Sequence, residues 1–298
     1  MRFFLWLGCL TALGAAVLLG QAKAPAPDEA SRAAVVKLFA SLNDEQKKAA
    51  LREFDDKDRY TEQFPGVNRP GVPFTKLTAE QKTLVADAVK TITSEYGAQR
   101  CMEIAKQDGD GQRYVTFFGT PTADGPFAWR FAQHHLTLVY AEFGKEKANE
   151  FGPILLGGNP AKSLWDEEEK LALELFAALS PEELKAIKAK GNSASGAPID
   201  ASAIKISSLG EKPRALAKKL LEQRLAVFSV DRRKVIEDMI QKDGGPEALR
   251  IAVWGEATKS HRDGGNYHWK IGGINVVCDW QTVGKDHIHM TLRGRVKS

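Results

Sequence analysis

Residues 267–293, YHWKIGGINVVCDWQTVGKDHIHMTLR, decide the architecture. Three runs within them, 267–271, 274–280 and 287–293, are rich in β-branched and aromatic residues and alternate apolar with polar, the period-two pattern of a strand. Gly272-Gly273 between the first two supplies the positive φ angles of a two-residue hairpin turn. The end of the chain therefore reads as a β-meander. Similar runs occur at 113–119, 127–143 and 249–255, whereas helical periodicity covers 29–39, 80–96, 167–178, 182–190, 213–228 and 232–242. Strands separated by helices imply an α+β fold: helix-rich N-terminal and middle segments packed on a mixed or antiparallel sheet, closed by the C-terminal meander.

Three helix starts look alike: Leu42-Asn43-Asp44-Glu45-Gln46, Leu77-Thr78-Ala79-Glu80-Gln81 and Leu179-Ser180-Pro181-Glu182-Glu183. Each offers a side-chain oxygen to the first free amides and a Gln or Glu three residues later, a capping box. Shared capping chemistry accounts for the likeness without an internal duplication. The segment from Gly191 to Pro198 reads as a surface loop within one domain, and that from Gly152 to Pro160 as a turn-rich loop.

Arg2, the apolar run from Phe3 to Leu19 and the small-x-small triplet Ala22-Lys23-Ala24 read as a cleaved signal peptide over residues 1–24. The expected mature chain is one α+β domain, residues 25–298, exported to a periplasmic or extracellular space, with no further membrane span. Cleavage removes Arg2 and Lys23 from a formal charge of +4, and the remaining Lys and Arg are interleaved with acids, which argues against a nucleic-acid partner. Of the three cysteines, Cys101 and Cys278 remain; an oxidising compartment permits a bridge between them without requiring one. The 43% apolar fraction suits an ordinary packed core.

Four of the six histidines fall in two strand-like stretches, His134-His135 and His287-Ile288-His289. Alternation points His287 and His289 to one face, as two metal ligands require. On a continuous strand His134 and His135 point to opposite faces, so only one joins them, with His135 slightly favoured. Glu256 and Asp279 are the candidate catalytic carboxylates, able to complete the sphere, orient an imidazole or act as a base. Trp129, Arg130 and Arg293 are candidates for substrate binding, the arginines through bidentate contacts to an anion. His261 and His268 read as solvated loop residues.

Phe118-Gly119-Thr120-Pro121, Gly125-Pro126-Phe127-Ala128-Trp129-Arg130-Phe131 and His134-His135-Leu136 resemble motifs of the domain of unknown function 3500 family. So do Trp254-Gly255-Glu256, Tyr267, Asp279 and His287-Ile288-His289 with Arg293, and, nearer the start, Phe54-Asp55-Asp56, Arg69 and Gly71. The resemblance spans the mature chain. It implies a shared single-domain fold and shared polar motifs, and names no substrate. The chain departs from the family pattern at Leu292 and Gly294, where Trp and Asp are expected, and at Asp286, where Asn is expected. Trp280-Gln281-Thr282 likewise replaces the usual Asn-Thr-Gln. Any role that rests on the missing Trp and Asp is thereby put in doubt.

The expectation is an exported protein with one transition-metal ion, zinc, copper or iron, serving hydrolytic or oxidative chemistry on a small-molecule or peptide ligand. The alternative is a non-catalytic secreted binding module with structural histidines. Nucleophile-elbow, phosphate-loop and His-Glu-x-x-His motifs are absent from the sequence.

Overall fold

The computed structural model describes residues 27–62, 70–144, 148–189 and 193–296. The export signal expected over residues 1–24 lies outside the described residues. The order of elements repeats. Helices α1 (Pro27–Ala40) and α2 (Asp44–Ala50) lead through short strands β1 (Leu51–Arg52) and β2 (Val72–Pro73) to helices α3 (Ala79–Ile92) and α4 (Glu95–Gln107). Strands β3 (Tyr114–Phe118), β4 (Pro126–Ala132), β5 (Leu136–Phe143) and β6 (Glu150–Gly158) complete this half. The second half runs α5 (Asp166–Ala177), α6 (Pro181–Ile187), β7 (Ile204–Lys205), α7 (Glu211–Leu225) and α8 (Val230–Lys242). It ends with β8 (Arg250–Glu256), β9 (Asn266–Gly272), β10 (Val276–Gly284) and β11 (His287–Arg295).

One mixed sheet holds these strands in the order β1-β3-β4-β5-β6-β11-β10-β9-β8-β7, with β2 on β3 off that path. Only the β1–β3 pair is parallel among the named strand pairs. Read outward from the central β6–β11 seam, β5, β4 and β3 match β10, β9 and β8, β2 on β3 matches β7 on β8, and the parallel β1–β3 pair is matched by the parallel Lys188–Val253 bridge, which defines an approximate two-fold relation near the Ile154–Leu292 pair. The helices obey it too. Ser94 N at the α3–α4 corner donates to Val227 O (2.9 Å), and Ser229 N at the α7–α8 corner donates to Ile92 O (3.2 Å). Asn43 and Ser180, which cap α2 and α6 with full capping boxes, occupy equivalent positions. Shared capping chemistry holds at all three starts, Thr78 capping α3 in the same way; for Asn43 and Ser180 it coincides with equivalent places in the structural repeat.

Strand alternation separates two environments. On one face Phe117, Trp129, Tyr140, Ile154, Trp280 and Leu292 join a continuous apolar core against which α4 packs from β5 and β6, and α8 from β10 and β11. On the other face the sheet buries Thr116, Arg130, Thr137, Lys270, Asp279, His289 and Thr291. Loop backbone satisfies several of them: Lys270 Nζ donates to Ala194 O and Ala197 O at 3.0 Å each, and Gly196 N donates to Asp279 Oδ2 at 2.7 Å. Part of the segment expected to be a surface loop thus covers this face, with Gly196 buried.

Three strand or turn boundaries differ from expectation. The run 127–143 breaks at Gln133-His134-His135, where Gln133 N donates to Leu136 O (2.6 Å) and closes a hairpin turn. The stretch expected to be a turn-rich loop is mostly β6, because Ile154-Leu155-Leu156 supplies apolar side chains to a strand buried at the centre of the sheet. The β9–β10 hairpin forms, but neither Gly272 nor Gly273 has positive φ; the turn centres on Ile274-Asn275 and closes through Gly273 N to Val276 O (2.8 Å).

Candidate metal centre

The break in the β4–β5 strand sets the site. Because His134 and His135 sit in a turn, they do not alternate across a sheet, and both rings reach the start of β11. This corrects the expectation that only one could do so. The ligand nitrogens of His134, His135, His287 and His289 all lie within 4.8 Å of one another. His135 Nε2 is 3.2 Å from His287 Nε2, which is 3.3 Å from His289 Nε2. Gly157, opposite His289 on β6, leaves room for the rings: a Cβ there would stand 3.0 Å from His289 Cδ2 and 3.2 Å from His135 Cδ2.

Asp108, the residue that ends α4, fixes the orientation. Its carboxylate accepts from His135 N (3.1 Å) and faces His135 Nδ1 at 3.0 and 3.2 Å. Burial raises the Asp108 carboxyl, but the hydrogen bonds from His135 outweigh it and hold the group below the usual carboxylate range. With Nδ1 donating to the carboxylate, the neutral His135 ring presents its Nε2 lone pair to the cluster. Burial, helped by His287, His135 and His134, pushes His289 down to about 3. Burial first and His135 second lower His287 as well.

One proton cannot give both contacts a full two-centre hydrogen bond. His287 Nε2 carries at most one hydrogen. If it donates to the lone pair on His135, it has no lone pair left to accept from His289, so one of the two short contacts is not a hydrogen bond. Tetrahedral bonds of about 2.0 Å from imidazole to metal hold the nitrogens about 3.3 Å apart, the spacing found for His135–His287 and His287–His289.

The carboxylates expected to act with the histidines lie elsewhere. Glu256 is exposed at the end of β8, three strand spacings or about 14 Å across the sheet from β11. Asp279 shares a sheet face with His289, but it sits opposite Thr291 and its oxygens are taken by Thr291 Oγ1 (2.6 Å) and Gly196 N (2.7 Å). Trp129 is fully buried in the helix-side core. Arg130 is buried on the opposite face and donates to Asp58 Oδ2 (2.6 Å) and Asp58 O (2.7 Å). Arg293 lies further along β11 and lines a separate cleft.

Two further sequence readings change. His261 is fully buried rather than solvated, its Nδ1 2.8 Å from Glu169 Oε2 and its Nε2 3.2 Å from Asp286 Oδ1. His268 is half-buried and bonded to Ser193 Oγ. Cys101 and Cys278 are free buried thiols, both pushed up to about 12 by burial.

Fold and site together define a two-fold repeated α+β protein with an imidazole cluster at one end of its central seam. The chain belongs to the family described as Protein of unknown function (DUF3500), whose profile matches residues 24–297. No curated protein and no solved structure matches it.

Proposed function

We propose that the protein binds one transition-metal ion through His135, His287 and His289, with His134 as fourth donor and Asp108 as the residue that orients His135. The observation that carries this reading is the pair of Nε2 contacts at 3.2 and 3.3 Å, which match the edge of a tetrahedral coordination sphere and of which at most one is a full two-centre hydrogen bond. An all-imidazole donor set accepts zinc, copper or iron. His134 and His287 are only partly buried, so the centre is reachable from solvent. A bound ion would supply Lewis acidity or electron exchange there. Glu256 and Asp279 do not reach the cluster, so hydrolysis there would rely on metal-activated water rather than on either carboxylate, and oxidative chemistry or metal carriage would need neither. The N-terminal apolar run with Ala22-Lys23-Ala24 supports export, so the ion would be acquired outside the cytoplasm.

Metal analysis of untagged protein, beside a His287→Ala/His289→Ala double variant, tests the reading. The expected result is about one ion per wild-type chain and almost none in the variant. Equal content in both would end the proposal.

A further inference from the structure

The two-fold relation carries the turn of the histidine cluster onto a second turn at the other end of the seam. Its counterpart is Ile274-Asn275, between β9 and β10. Asp243 ends α8 as Asp108 ends α4, and it accepts from Asn275 N at 3.1 and 3.0 Å and from Asn275 Nδ2 at 2.7 Å. Scaffold and brace are repeated while the chemistry differs. In place of imidazoles this turn presents Ile274, 74% exposed, beside a cleft of about 230 Å³.

Phe151, Pro153, Val276 and Val277 give the cleft an apolar wall, and Arg293 and Arg295, with the Glu150 carboxylate beside them, give it a charged one of net positive sign. Arg295 is 3.6 Å from Glu150 Oε1. Arg293 has no such close partner. Among the described residues its guanidinium makes no hydrogen bond, and its nearest carboxylate oxygen, Glu62 Oε1, stands 4.0 Å away, beyond hydrogen-bond reach. Glu62 Oε1 is itself buried without a hydrogen-bond partner. A guanidinium held, among the described residues, only by a loose ion pair at 4.0 Å and set beside apolar side chains suits bidentate capture of a carboxylate whose hydrocarbon end occupies the same cleft. The volume is below the ~300–1,000 Å³ of sites for drug-sized ligands, which points to a small acid.

We propose that the cleft between the Ile274-Asn275 turn and the end of β11 is a second ligand site, which binds a small free apolar carboxylate through Arg293. The claim does not depend on a metal at the histidine cluster.

Titration calorimetry of the full chain with octanoate, with octylammonium as the cationic comparator, tests it. Octanoate is expected to bind saturably and octylammonium is not. Arg293→Met should weaken octanoate about tenfold or more. Ile274→Asp, at an exposed position that leaves the core untouched, should weaken it several-fold by adding negative charge at the rim. No saturable binding up to millimolar octanoate, or unchanged affinity in both variants, would overturn the site. Capture on phosphatidylglycerol vesicles that octanoate does not displace would overturn the free acid as its occupant.

Discussion

Asp108 is the residue on which the geometry of the cluster turns. It holds one imidazole through both backbone and ring, which aims a lone pair at the centre and keeps the ring from rotating to solvent. Asp108→Asn retains the shape and removes the charge, and it should lower metal affinity about 10–100-fold while leaving the circular dichroism unchanged. Competition against a chromophoric chelator measures this; undiminished affinity would reduce Asp108 to a turn brace. The four histidines were legible because their density is unusual. Asp108 was not, because nothing in the sequence signals a partner for it in the β4–β5 turn. Gly157 was hidden for a related reason: in sequence it marks a turn, whereas in the fold it clears space for two rings.

At the level of elements, local chemistry was legible and long-range contact was not. Asn43, Thr78 and Ser180 cap their helices as their side chains predict, each bonding the amide three residues on. The run 80–96, by contrast, divides at Thr93-Ser94, where the chain leaves α3 and Ser94 caps α4. Only the other half of the molecule explains that break, since Val227 O accepts from Ser94 N there. The approach is so close that a Cβ on Gly97 would stand 1.8 Å from Val227 O. Gly97→Ala should therefore force the two helix corners apart, at a cost of about 1–3 kcal/mol or more. Thermal unfolding should show a Tm lower by several degrees, and an unchanged Tm would mean that the corners do not couple the halves.

Across the whole molecule, a buried ion pair ties one half to the other, and the carboxylate next to it organises the second half. Arg100 on α4 is ion-paired with Glu168 on α5, both nearly or fully enclosed. The adjacent Glu169 accepts from His261 N (2.7 Å), Ser260 Oγ (2.8 Å) and Tyr267 Oη (3.0 Å). Burial raises the Glu169 carboxyl, but the bonds from His261 and Ser260 outweigh it and leave the group below its ordinary value. A depressed carboxyl stabilises the fold fully above the unfolded value of 4.5, and that stabilisation is lost as pH falls through the folded value. Glu169→Gln should accordingly be less stable than wild type in urea at neutral pH, and the gap should narrow as the solution is acidified below 4.5. A gap that stays constant into acid would show that hydrogen bonding without charge accounts for it.

The reciprocal seam between β6 and β11 has a last consequence. Two identical chains meeting this way would carry every side chain twice, so an imidazole placed at one turn would recur at the other. Joining both copies in a single polypeptide removes that obligation. One turn can then gather imidazoles while its twin keeps an aliphatic tip beside guanidinium groups, and a single chain presents two chemically unlike turns at opposite ends of the same pair of strands.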